Sequence, residues 1–196
     1  MQGQQDIRSF FLKELNKEVD SIEIDGLILI ENFITPTEEQ QLLSCIDSEI
    51  WDTRLCRRTQ HYGYIYDYTS GKANTKAAPI PEWCNFIIDR LCSQNVLSER
   101  PNQIIINEYL PGQGIGPHID DPNSFKDGIV SLTLGSACMM DFSCTEDTKS
   151  VYLQRRSIVS LHRDARYKWK HGITPRKSDN GIKRLRRVSI TFRTKK

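Results

Sequence analysis

The 196-residue chain has no long apolar run, no CxxC pair, no internal repeat and no low-complexity stretch. Nothing approaches the ~18 consecutive apolar residues that a membrane span needs. The opening Met1-Gln2-Gly3-Gln4-Gln5-Asp6 lacks the basic-then-apolar pattern of a secretory signal. Cytoplasm or nucleus is therefore the expected compartment. Six cysteines are scattered at positions 45, 56, 84, 92, 138 and 144. Without an export pattern, that usage indicates reduced thiols and not disulfides or a zinc cluster. What is present is a globular composition, 38% hydrophobic and 9% aromatic. The length suits one domain with a core of its own, and a monomer is expected.

Net charge is only +2 but unevenly spread. Residues 151–196 carry fifteen Lys and Arg against two Asp, a net of +13, which leaves −11 on residues 1–150. A basic half suggests a polyanionic partner. A solvated charged face with a basic tail gives the same count.

The hydrophobic pattern divides the chain. Residues 1–26 read as an N-terminal extension, with Ile7 to Val19 as a short amphipathic helix. Leu27-Ile28-Leu29-Ile30 reads as a strand. Thr35-Pro36-Thr37-Glu38 is a helix start: Thr35 can cap, proline suits the first position, and Glu38 completes a capping box. Leu42, Leu43, Ile46 and Ile50 follow at helical spacing. A second helix is expected from Pro81, with Trp83, Phe86, Ile87 and Leu91 on one side. From residue 103 the signal changes to short strands: Gln103–Tyr109, Ile129–Leu134, Met139–Phe142, Val151–Leu153, Ser157–Leu161, Tyr167–Lys170 and Arg187–Arg193. The expected fold is mainly β, an α+β domain over 27–196 whose helices pack on a double-sheet jelly roll at about 103–193.

His118-Ile119-Asp120 follows Pro117. In an extended segment, residues i and i+2 leave the same face, so both side chains can reach one ion. His171, 51 residues beyond Asp120, can supply a third ligand. Two histidines and one carboxylate form the facial triad of oxygen-activating iron(II) enzymes, with three coordination positions open. On the dipeptide alone, a surface-loop histidine and a turn aspartate read equally well. His61 and His162 compete as imidazoles, and His162 reads as a solvated strand end. A zinc hydrolase can use the same ligand types. A dicarboxylate co-substrate separates the two, because its far carboxylate needs a buried cation, best an arginine fork. The strand Arg187-Val188-Ser189-Ile190-Thr191-Phe192-Arg193 puts Arg187, Ser189, Thr191 and Arg193 on one face. Such alternation normally marks a solvent-edged strand. Its place 16 residues after His171 gives the functional reading weight.

Together these residues resemble the AlkB family of nucleic-acid dioxygenases. The likeness runs from about Leu27 to Arg193, in order: Asn107-Glu108-Tyr109, His118-Ile119-Asp120, His171-Gly172-Ile173 and the terminal strand with Arg187 and Arg193. It implies an oxidoreductase holding Fe(II) through His118, Asp120 and His171 and using 2-oxoglutarate and O2. Arg187 would pair with the far carboxylate of 2-oxoglutarate, with Asn107 and Tyr109 beside it. Arg193 would support the chelating end, and Ser189 stands where many members have asparagine. Within the family the chain is most similar to the oxygenase domain of members that hydroxylate modified wobble uridine in tRNA. It carries that likeness in Gly112-Gln113-Gly114-Ile115, Ile129-Val130-Ser131-Leu132, Arg166-Tyr167 with Trp169, and His171-Gly172-Ile173-Thr174.

The likeness also implies a lid over the nucleotide at about 51–80. There Arg57, Arg58 and His61 are candidates for phosphate or base contact. Tyr62, Tyr64, Tyr66 and Tyr68 alternate and can stack a base, or pack a hairpin on the core. Arg166 matches a substrate-side arginine. The expected partner is nucleic acid, tRNA ahead of alkylated DNA. Lys168, Lys170, Arg176 and Lys177 would draw phosphates near the metal, and Arg184, Arg186, Lys195 and Lys196 would add nonspecific attraction. The chain has no room for a methyltransferase domain, so a separate methyltransferase partner and simple methylated bases both stay open. Hydroxylating an N-methyl carbon ends in demethylation, and hydroxylating another carbon ends in a stable alcohol. A protein or small-molecule hydroxylase on the same fold would need neither the basic half nor the aromatic lid. A binding module that has lost catalysis would not need the intact ligand set.

Overall fold

The computed structural model describes residues 24–67 and 72–196, the side chains of 66, 67 and 72–74 excepted. The expected Ile7–Val19 helix, Tyr68 and the side chain of Tyr66 lie outside those residues. Strand β1 (Leu27–Ile30) leads to helix α1 (Pro36–Ser48), then to strands β2 (Thr59–Tyr62), β3 (Tyr64–Asp67) and β4 (Lys72–Lys76). A 3-10 turn at Glu82–Cys84 opens helix α2 (Asn85–Ser93). Strands β5 (Gln103–Tyr109), β6 (Ile115–His118), β7 (Ile129–Leu134), β8 (Cys138–Ser143), β9 (Thr148–Leu153) and β10 (Ile158–Leu161) follow. Then come the short helix α3 (Arg163–Tyr167), β11 (Lys170–Ile173), the hairpin β12 (Ser178–Asp179) and β13 (Ile182–Lys183), and finally β14 (Arg187–Arg193). Six strands form one sheet in the order β1-β10-β7-β14-β5-β2, and four form another, β6-β11-β8-β9. This is the expected jelly roll. Among the described residues, no helix is long and apolar enough to cross a membrane.

Helix α1 starts as its sequence dictates. The Thr35 hydroxyl accepts from the Glu38 amide at 3.2 Å, and Glu38 accepts from the Thr35 amide at 2.8 Å. Glu38 also takes Arg90 of α2 at 2.5 Å, which clips the two helices together. Leu42 and Ile46 are buried, but α1 ends at Ser48, so Ile50 falls beyond it and is exposed. Leu42 and Ile46, with Ile87, Ile88 and Leu91 of α2, pack on Ile104, Ile106, Val130, Leu132, Val188, Ile190 and Phe192 of the six-stranded sheet.

Because side chains alternate along a strand, the other face of those strands turns toward the second sheet. That face carries Asn107 and Tyr109 of β5, Ser131 and Thr133 of β7, and Arg187, Ser189 and Arg193 of β14. Strand β14 is central, paired with β5 on one side and β7 on the other. Its polar face is therefore not the solvent edge that alternation alone suggests: Arg187 is 3% exposed and Arg193 8%.

Two local expectations differ from the structure. The segment 167–170 is not a strand; α3 closes at Tyr167 and β11 begins at Lys170. A five-residue helix is too short for periodicity to reveal. Strand β6 is an addition, since Gly116 and Pro117 disguise it. Its neighbour β11 comes very close. A Cβ on Gly172 would meet the Ile115 carbonyl oxygen and the Pro117 nitrogen at 3.0 Å each. The glycine after His171 thus lets its strand lie against the strand of His118.

Candidate metal and co-substrate centre

Register brings the triad together. His171 of β11 stands directly opposite His118 of β6, and their rings lie 4.5 Å apart. Asp120 follows two residues after His118, and its Oδ2 is 3.7 Å from His171 Nε2. One ligand atom from each of the three lies within 4.8 Å of the others. His118 Nδ1 sits 2.9 Å from the Gly116 carbonyl, a contact that places the proton on Nδ1 and leaves Nε2 as the ligand atom. Burial pulls the His171 pKa down to about 4, against the opposing charge of Asp120. Burial works against ionising Asp120, but Arg193, His171 and His118 outweigh it and hold its carboxyl below the usual range. A neutral His171 and an ionised Asp120, beside the Nε2 that His118 leaves free, make a donor set suited to a divalent metal.

Arg193 Nη2 is 2.5 Å from Asp120 Oδ1, with its guanidinium 4.9 Å over the Phe125 ring. Arg193 is thus beside the triad, where the resemblance puts it. Arg187 is more telling. Its Nη2 donates to Thr133 Oγ1 at 2.9 Å and its guanidinium lies over Tyr109 at 5.4 Å. Its Nε and Nη1 are buried with no partner among the described residues. A buried cation with unmet donors is costly unless a ligand meets them. Arg187, Asn107, Tyr109, Ser131 and Ser189 line the same cavity as His118, Asp120 and His171, with Met140, Leu161 and Ile173 among its apolar walls. The cavity holds about 520 Å³ including its mouth. The residues fit a chelated metal at one end and a dicarboxylate reaching to the arginine at the other. The Ser189 hydroxyl pairs with that of Ser131 at 2.7 Å inside this cavity.

Comparison with known proteins agrees with the geometry. Residues 50–193 match the family model described as the 2OG-Fe(II) oxygenase superfamily. The chain belongs to that superfamily. This oxygenase uses Fe(II), 2-oxoglutarate and O2. It is 36% identical to the uncharacterized protein L905 of Acanthamoeba polyphaga mimivirus, over 87% of this chain and 85% of that one. It is 37% identical to the tRNA (carboxymethyluridine(34)-5-O)-methyltransferase alkbh8 of Xenopus tropicalis, over 87% of this chain. The oxygenase spans only 29% of that longer relative. The solved structure of OsALKBH1 superposes with a TM-score of 0.65 at 17% identity, covering 86% of this chain and 96% of that one, which supports the fold.

An open cleft adjoins the triad, lined by Arg57, Ile105, Asn107, Ile115, Ile119, His118, Asp120 and Arg193. Arg57 lines it, donating from Nε to Asn107 Oδ1 at 3.0 Å. Thr59 and His61 of β2 stand opposite Asn107 and Ile105, on the cavity face of the sheet. Burial lowers the His61 pKa to about 4, and its Nδ1 has no partner among the described residues.

Four expectations are corrected here. Tyr62 points the other way, into the helix-side core, 7% exposed and edge-on to Trp83. Gly63, at φ +76°, breaks the series, so Tyr62 and Tyr64 do not share one face. Tyr64 packs on Phe125 and Ile129, with Lys195 over its ring. Arg58 lies on the far side of the sheet, stacked on Trp51 and paired with Glu108 at 2.5 Å. Arg166 is 2% exposed and bonds only main-chain carbonyls, so it touches no substrate.

Much of the C-terminal charge is likewise spent within the fold. Arg176 and Arg184 hold Asp179, Arg186 holds Asp47 and Glu108, and Lys168 pairs with Asp164. Lys170 and Lys177 are exposed. His162 is also not a solvated end: it is half-buried, with Nε2 2.7 Å from Ser160 Oγ. The Arg166 contacts with residues 120–126 are what sequence reasoning missed, since no pattern in the chain predicts them.

Proposed function

We propose that this oxygenase hydroxylates or oxidatively demethylates a modified base in nucleic acid, with tRNA ahead of DNA. The cleft beside the triad carries the reading. Its walls of Ile105, Ile115 and Ile119 suit the flat faces of a base, and Arg57 with Asn107 supplies polar contacts for its edge. The cleft is open to solvent beside the triad, so an unstacked nucleotide can enter it. The described part of the 51–80 segment forms its lid, with Arg57 on the cleft wall and His61 on the cavity face of β2. The likeness to a tRNA-modifying relative supports tRNA, and Lys170 and Lys177 supply part of the attraction to phosphate.

In this reading His118, Asp120 and His171 hold the metal. Arg187, stacked on Tyr109, takes the far carboxylate of 2-oxoglutarate through Nε and Nη1. Arg193 keeps Asp120 ionised and fixed. Ser189 and Asn107 orient the co-substrate. The apolar wall of Met140, Leu161 and Ile173 keeps water out of the cavity. The bound iron and co-substrate supply the power to put one oxygen atom of O2 into a C–H bond and the other into succinate. The substrate is either a base supplied by a separate methyltransferase partner or a simple methylated base.

The test incubates the Fe(II)- and 2-oxoglutarate-loaded protein with bulk tRNA, methylated single-stranded DNA or a peptide library, and follows succinate release. Stimulation by tRNA supports the reading. Stimulation by peptides alone moves the protein to the protein hydroxylases. Neutralising Lys170 and Lys177 together should lower the salt slope of nucleic-acid binding by about 2.

A further inference from the structure

We propose that Arg166 is a positioning residue for the metal site, holding the Asp120 loop in register with the strand of His171. Its guanidinium is buried and caps the loop from inside. Nη1 donates to the Asp120 carbonyl at 2.6 Å. Nη2 reaches the Phe125 and Asp121 carbonyls at 3.3 and 3.4 Å, and Nε reaches the Lys126 carbonyl at 3.4 Å. Tyr167 lies beneath the guanidinium at 4.9 Å. The first contact is to the main chain of Asp120 itself.

Two further features make this a link and not only a loop staple. Arg166 sits on α3, and β11 with His171 begins three residues after α3 ends. One arginine thus ties the segment carrying Asp120 to the segment carrying His171. The loop's other anchors come from the loop itself and from elsewhere in the fold. Asp121 takes the Asn123 and Ser124 amides through its own carboxylate, the Phe125 amide bonds Asp121, and the Lys126 amide bonds Thr194. The Lys126 amide to Thr194, the Lys196 amide to Ser124 and the Arg193 pair with the Asp120 carboxylate tie the loop to β14 and the residues after it, whereas Arg166 ties its main chain to the segment that leads to His171. A planar guanidinium spreads its donors over three nitrogens in a fixed fork and can meet these separated carbonyls together, whereas a lysine offers fewer donors from a single nitrogen.

The test is Arg166→Lys, with Ile46→Val as a destabilised control on the far side of the sheet. Metal-free protein is titrated with Co(II), followed by visible absorption, and tRNA binding is measured separately without metal. Arg166→Lys should weaken Co(II) binding by about 10–100-fold, the usual effect of losing an outer partner of a metal ligand. It should leave tRNA affinity within twofold, and Ile46→Val should leave Co(II) binding unchanged. Native Co(II) affinity with weakened tRNA binding would overturn the proposal and make Arg166 a substrate contact. If Arg166→Lys does not fold, Tyr167→Ala decides, since it removes the surface the guanidinium rests on. Unchanged Co(II) affinity there would also overturn the proposal. The inference rests on the ligand set proposed above. If His118→Ala keeps native Co(II) binding, the ligand set has failed, and not the role of Arg166.

Discussion

Replacing Arg187 with methionine should separate stability from co-substrate binding in opposite directions. The side chain is 3% exposed and makes one hydrogen bond, to Thr133. Two of its three nitrogens have no partner among the described residues. Without ligand it is a buried cation with unmet donors, and an apolar side chain of similar length relieves that cost. The ligand-free Arg187→Met protein should be more stable by about 1–3 kcal/mol, the cost of unsatisfied buried groups. With 2-oxoglutarate the sign reverses. Losing a buried charge pair costs about 2–5 kcal/mol, which is roughly 30- to 5,000-fold in Kd. Arg187→Lys should fall between, because one ammonium cannot replace a fork. The assays are thermal unfolding without ligand and calorimetric titration of 2-oxoglutarate into the Mn(II) protein under nitrogen. Native co-substrate affinity in Arg187→Met would refute the placement of the far carboxylate.

Other expectations follow from the same contacts. Tyr62→Ala should cost about 3–5 kcal/mol in denaturant unfolding, as a core deletion does, with turnover per folded molecule unchanged; a loss of nucleic-acid affinity without a loss of stability would restore it to the substrate side. Asp179, 3% exposed, is lowered from 3.8 to about 2, because Arg184, the Met139 amide and Arg176 outweigh burial. A lowered carboxylate stabilises above its ordinary pKa and loses that stability as pH falls through the folded value. Asp179→Asn should therefore be less stable by about 2 kcal/mol at pH 7, with the gap closing between pH 4 and pH 2; a gap constant with pH would contradict the assignment. Gly172→Ala should push β11 off β6 and weaken Co(II) binding, and an unchanged titration would show that the strands tolerate the extra carbon.

Much of the fold was legible from local chemistry. The capping box at Thr35 and Glu38 set the start of α1, and the run of short strands from residue 103 marked the jelly roll. The triad was legible because HxD in an extended segment aligns two ligands. Burial was harder to read. Alternation in β14 looks the same whether the polar face meets water or a cavity, and only central placement between β5 and β7 decides. The tyrosine series misled because Gly63 resets the phase, sending Tyr62 to the core. Arg166 misled because a buried arginine bonded to carbonyls leaves no sequence trace distinct from a surface cation. The net charge of residues 151–196 misled in the same way, since Asp47, Glu108 and Asp179 consume part of it through long-range pairs.

The most direct test of the central claim is anaerobic addition of 2-oxoglutarate to the Fe(II)-loaded protein, followed in the visible range. Chelation by the co-substrate at an iron held by His118, Asp120 and His171 should produce a charge-transfer absorption in the native protein, and none in the His118→Ala, Asp120→Ala double variant. An equal absorption in the double variant, or none in the native protein, would contradict the site.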